Sequence, residues 1–109
     1  MLKIISKTFN YIFYLPIRYE KSVVFSRTQN RAFEGSVINQ KELAELYFEK
    51  NDIMQAFAWS YVSSRKGLKE AILLNKKYSE MLTEDQLEKS INLGEEYIKK
   101  YTDGFYANW

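Results

Sequence analysis

The chain has no cysteine and no histidine, and only one proline and four glycines in 109 residues. Without cysteine there is no thiol chemistry and no disulfide. Without either residue, most zinc sites and every histidine-dependent triad are excluded. The lack of cysteine does not by itself fix a redox compartment. The glycines, at 35, 67, 94 and 104, are scattered, so no glycine-rich phosphate loop is formed. Long apolar runs are also missing. The most apolar stretch, residues 9–17, contains Asn10 and Pro16 and is too short to span a bilayer. Lys7 and Asn10 interrupt it as a signal peptide, and no small-x-small cleavage site follows. A cytoplasmic protein is the expectation.

Neither charge sign dominates, with a net charge of +2. The distribution is uneven, however. Residues 1–39 carry six basic and two acidic groups, a balance of +4, and the remainder balances at −2. What the chain has in surplus is aromatic: 9 Tyr, 7 Phe and 2 Trp. Aromatics dominate both cores and interfaces. A single domain of this length, 1–109, is expected to leave some of these rings at its surface.

Helical periods run along most of the chain. In residues 2–15 the stripe Leu2, Ile5, Phe9, Ile12 and Phe13 follows steps of three, four, three and one, and Pro16 stops it. Residues 17–38 read two ways. Val23-Val24-Phe25 has strand composition, whereas Phe25, Gln29, Ala32 and Phe33 fit a helix that ends at Gly35. Helix is preferred, because a lone strand would have no partner. Further helices are expected near 40–50, 52–66, 68–82 and 84–101. Their starts are signalled by Asn39 with Glu42, by Asp52, and by Thr83 with Gln86. The fourth of these helices carries the cleanest stripe, Leu87, Ile91, Gly94, Ile98 and Tyr101. The stripe before it places Leu68, Ala71, Ile72, Tyr78 and Leu82 inward. Gly94, on an apolar face, is expected where a second helix approaches closely. The fold class expected is all-α: a small helical-repeat-like domain of antiparallel hairpins. Residues 1–38 form a basic extension, 39–101 the repeat-like helices and 102–109 an aromatic tail.

Leu43, Ala44 and Tyr47, followed by Asp52, Gln55, Ala56, Trp59, Ser63, Ser64 and Gly67, resemble one Sel-one-like repeat, a relative of the tetratricopeptide repeat. Two departures stand out. Glu49-Lys50-Asn51-Asp52 replaces the usual glycine-rich turn, and Ser63-Ser64 replaces an alanine pair. The resemblance covers about one repeat and a closing tail from Leu68 to Tyr101. It implies a binding scaffold and brings no catalytic residue with it. Leu93-Gly94-Glu95-Glu96-Tyr97 echoes the spacing of Leu43 to Tyr47, fifty residues on, which is longer than one such unit of about 34 residues.

No catalytic constellation, metal-ligand cluster or cofactor motif is found. Glu84 and Asp85 open a helix, where acids suit the macrodipole. Glu95 and Glu96 are expected on a solvated face. The expected role is therefore binding another protein, with a homodimer through the same surface as the self-partner. Rings off the inward stripes are the candidate anchors: Tyr11, Tyr14, Phe48, Tyr106 and Trp109. Tyr47, Ala56 and Trp59 are expected inside the hairpin. The tail from Phe105 to Trp109 either tucks back or serves as a docking peptide, and tucking is favoured because a free aromatic tail exposes apolar area. The alternative is a membrane-surface or nucleic-acid binder that acts through Lys3, Lys7, Arg27 and Arg31.

Overall fold

A computed structural model describes residues 22–101. The helix expected at 2–15 and the aromatic tail at 102–109 lie outside them. The described chain is all-α, with five helices and no strand among the described residues. They are α1 (residues 22–33), α2 (Val37–Glu49), α3 (Ile53–Arg65), α4 (Lys69–Ser79) and α5 (Glu84–Tyr101). Residues 22–33 are helical despite the Val-Val-Phe run. Their apolar side finds its partner in other helices: Phe25 meets Tyr47 edge-on at 5.3 Å and Phe33 stacks on Tyr101 at 4.4 Å.

One turn geometry joins the first four helices. Each connection has a single left-handed residue, followed by a residue that opens the next helix. The left-handed positions are Gly35 (φ 96°), Asn51 (φ 63°) and Gly67 (φ 87°), spaced by sixteen residues. Ser36, Asp52 and Leu68 follow them as N-caps. The first two turns close with the same pair of bonds. Ser36 N–H reaches Arg31 C=O and Gly35 N–H reaches Ala32 C=O. Asp52 N–H reaches Tyr47 C=O and Asn51 N–H reaches Phe48 C=O. This satisfies the carbonyls that a helix end leaves open. A non-glycine fits at 51 because asparagine tolerates the left-handed region better than most residues.

Asn39 is not the cap of α2. Ser36 is, with its Oγ accepting from Asn39 N–H at 3.4 Å. Asn39 sits one turn inside and binds Glu42 through its side chain at 3.2 Å. The other two expected caps are in place. Asp52 accepts from Gln55 N–H at 3.2 Å. Thr83 and Gln86 exchange reciprocal bonds at 3.0 and 3.2 Å, a complete capping box.

α3 is the hub. Five consecutive residues, Ala56 to Ser60, are buried, as are Val62 and Ser63. Consecutive residues point all round a helix, so α3 is covered on every side, and α2, α4 and α5 all pack on it. Small side chains allow the close approaches: Ala56, Ala58, Ser60 and Ser63 on α3, Ala44 on α2, Ala71 on α4, and Ser90 and Gly94 on α5. At Gly94 an added Cβ would lie 2.6 Å from Tyr61 Cδ1. This is the close helix approach the sequence called for. Trp59 is 2% exposed. Its ring partners are Tyr97 at 4.4 Å, Tyr101 at 5.7 Å and Phe33 at 5.9 Å. Those rings come from α5 and α1, outside the α2–α3 hairpin in which it was expected. Ala56 is fully buried and Tyr47 half-buried.

Candidate interaction surface

The described rings are spent on one another. All ten aromatics between residues 22 and 101 take part in ring–ring contacts, and none is fully exposed. Phe48 is corrected on this point. It was expected as an exposed anchor, but it is half-buried and stacked on Tyr78 at 5.2 Å, with Lys77 Nζ 4.6 Å from its ring centre. Its position off the inward stripe of α2 turns it toward α4. Tyr11, Tyr14, Tyr106 and Trp109 lie outside the described residues, as do Lys3 and Lys7. Arg27 and Arg31 are exposed, one turn apart on α1, and neither forms an ion pair among the described residues.

The candidate surface is made of the exposed apolar side chains of α2 and α4. These helices flank α3 and run in the same sense. At one end Val37 and Ile38 share a cleft of about 230 Å3 with Lys66 and Leu68, and at the other Phe48 meets Tyr78. Ile38 is 42% exposed, Ile72 48% and Leu73 69%. Ile72 therefore does not face inward as its stripe implied. In the run Ile72-Leu73-Leu74 only Leu74 packs on the core, together with Ala71 and Tyr78. Lys69, Lys76 and Lys77 stand exposed around the two apolar side chains. Asn75, on the flank of α4, donates to Phe57 C=O at 3.1 Å and to Ser60 Oγ at 3.0 Å, pinning α4 to α3. Sequence reasoning missed Asn75 because both its partners are on another helix.

A second cleft of about 500 Å3 opens at the far end, between the start of α3 and the α4–α5 turn. It is lined by Asp52, Ile53, Met54, Met81 and Leu82, among others. Its polar edge is accounted for by the caps already described. Among the described residues, no group of three or more metal-ligating side chains comes together.

The electrostatics of the interior favour neutral phenols. Burial, with some repulsion from Glu45, pushes the Tyr78 phenol up to about 12. Tyr47 and Tyr97 are raised chiefly by burial. Tyr61 is raised first by its hydrogen bond to Glu95, which its hydroxyl makes at 2.6 Å. Arg65 reaches both groups, at 3.3 and 3.7 Å. Glu95 is thus tied into the α3–α5 contact and does not stand free on the outer face. Burial holds the Lys66 ammonium below its ordinary value. Its Nζ donates to Gly35 C=O at 3.2 Å and has no carboxylate partner among the described residues.

No described helix is long and apolar enough to cross a membrane. Compared with protein-family models, with curated proteins and with solved structures, the chain matches none.

Proposed function

We propose that this chain is a non-catalytic protein–protein interaction module, an adaptor or an inhibitor of a partner protein, acting in the cytoplasm. The observation that carries the reading is the exposed apolar pair of α4, edged by lysines. Ile72 and Leu73 stand at the surface with Lys69, Lys76 and Lys77 around them. Exposed large apolar side chains grouped within a polar rim mark interaction sites. The Sel-one-like reading is supported by the recurrence of one turn every sixteen residues. Two such helix-and-turn units make a hairpin close to the length of a tetratricopeptide unit of about 34 residues. Tyr11, Tyr14, Tyr106 and Trp109 are the proposed aromatic anchors, since Tyr and Trp are enriched among binding hot spots. No cofactor is required.

The test is partner capture, followed by titration of the purified partner. Ile72→Asp and Leu73→Asp should keep the helical spectrum of the parent and weaken binding at least tenfold. Full binding by both folded variants would remove this face of α4 from consideration. Sedimentation of the protein alone comes first, because a homodimer would use the same surface.

A second reading rests on Arg27 and Arg31, which share an exposed face of α1 without an acidic partner among the described residues. With Lys3 and Lys7 they would make a phosphate-binding patch on a membrane surface or a nucleic acid. Binding of anionic vesicles or RNA that collapses with added salt, and with Arg27→Ala and Arg31→Ala, would favour it.

A further inference from the structure

The cleft at the far end of the fold, about 500 Å3 between the start of α3 and the α4–α5 turn, joins an apolar wall to an acidic surround. Its size falls among sites that take a ligand or a large side chain, about 300–1,000 Å3. We propose that it seats an apolar side chain from a basic segment of a partner protein, with that segment's lysines or arginines against the surrounding carboxylates. The inference rests on the reading of the chain as a protein-binding module, but concerns a different surface from the α4 pair.

The wall is built from two sides. Ile53 and Met54 come from the first turn of α3, and Met81 and Leu82 from the turn after α4. Ile53 and Leu82 also lean on the core, which fixes the floor. Met81 is 51% exposed and Met54 is half-buried. Thioether chains are unbranched and polarisable, so they adapt to the apolar group that enters.

Charge decides the kind of partner. The lining stretches, residues 51–54 and 81–86, hold Asp52, Glu84 and Asp85 and no basic residue. All three acids are exposed, and none forms an ion pair among the described residues. Residues 49–54 and 80–89 together add Glu49, Glu80 and Glu88 against Lys50 and Lys89, a balance of −4 on a chain of net charge +2. Lys50 is drawn off, its Nζ 3.7 Å from the ring centre of Phe25 on α1. Helix dipoles do not offset the acids. The starts of α3 and α5 and the ends of α2 and α4 all meet at this end, and their opposite partial charges, about 0.5 each, cancel. The acids extend along both connections, beyond the cleft itself. A small ligand would meet few of them, whereas a peptide with basic residues around an apolar anchor meets them on several sides. An anionic membrane surface or a nucleic acid is repelled by the same field.

The test titrates the intact purified chain into dye-labelled amphipathic peptides and reads fluorescence anisotropy. A leucine–lysine peptide should bind. A leucine–glutamate peptide of the same length should bind weaker by about tenfold or more, and a serine–lysine peptide, which keeps the charge and lacks the anchor, several-fold weaker. Asp52→Asn removes a charge and keeps a capping side chain. Combined with Asp85→Asn, it should weaken the leucine–lysine peptide several-fold. Met81→Gln, polar at similar size, should do the same. Leu73→Gln, exposed but outside the cleft, should leave binding unchanged. Helical spectra check that each variant is folded. The proposal is overturned if no peptide binds, or if the leucine–glutamate or serine–lysine peptide binds as tightly as the leucine–lysine one. It is also overturned if either the Asp52→Asn/Asp85→Asn pair or Met81→Gln leaves binding as it was, or if Leu73→Gln weakens it. Self-association in sedimentation that Met81→Gln disperses would make a second copy the occupant and overturn it as well. The α4 pair has its own test in partner capture by Ile72→Asp and Leu73→Asp, so the two readings fail separately.

Discussion

Two glycines show how the same residue is required for unrelated reasons. At Gly67, φ is 87° and an added Cβ would meet nothing within 4 Å. Gly67→Ala therefore carries backbone strain alone. It should cost about 1 kcal/mol, since the left-handed penalty for an L-residue of roughly 1–2 kcal/mol is partly offset in the unfolded chain. At Gly94 the backbone is an ordinary helix, and the obstacle is the Tyr61 ring at 2.6 Å. That ring is held at its far end by Glu95, so it cannot simply swing away. Alanine gains about 1 kcal/mol of helix propensity there against an overpacking cost of roughly 1–3 kcal/mol. The expected result for Gly94→Ala is a net loss that Tyr61→Leu relieves, whereas Gly67→Ala is indifferent to Tyr61. Urea unfolding of the single and double variants separates the two cases. The sequence showed the first role through position at a helix end and the second through position on an apolar stripe. It did not show that a tyrosine was the neighbour.

The helices themselves were legible because their periods and their stop signals agree. Asp52, the Thr83–Gln86 box, Gly35 and Gly67 each mark a boundary by local chemistry alone. The error at the start of α2 is instructive. Ser36 and Asn39 both have capping side chains, and three residues separate them, the span across which a cap bonds its helix. Only the Gly35 turn decides, because its bonds bring Ser36 N–H onto Arg31 C=O and leave Ser36 as the first residue outside α2. Ser36→Ala should accordingly cost about 1 kcal/mol, and Asn39→Ala only a few tenths. Equal losses in thermal unfolding would return the cap to Asn39. The faces of α4 were less legible for a different reason. Ile72-Leu73-Leu74 offers three apolar residues in a row, and a period cannot choose among consecutive candidates. The choice is made by other helices, Phe48 of α2 against Tyr78 and Phe57 and Ser60 of α3 against Asn75.

The whole molecule responds to alkali as a set of buried phenols. Tyr78, at about 12, and Tyr47, Tyr61 and Tyr97, also raised, hold their protons in the fold beyond the ordinary value near 10. The folded state then binds more protons than the unfolded state above about pH 10, so stability falls as pH rises from there through about 12. Lys66, lowered by burial, acts in the opposite direction, but as one group against four. Urea midpoints should be level below pH 10 and drop above it, with phenolate absorbance appearing late. A flat profile to pH 12 would mean the interior is wetter than the packing implies. The hub arrangement also bears on how the chain is made. Besides Phe33, Trp59 finds its ring partners at Tyr97, stacked, and Tyr101, tilted, some forty residues later in synthesis. At about 5–20 residues per second, α3 is made seconds before α5 exists to cover it. During that interval Trp59 lacks the Tyr97 and Tyr101 rings. A nascent chain halted before residue 97 should bind chaperones, and one released beyond Tyr101 should not. For this protein, then, the vulnerable moment is birth: its central helix is the third of the five described and is not fully sheltered until the last of them arrives.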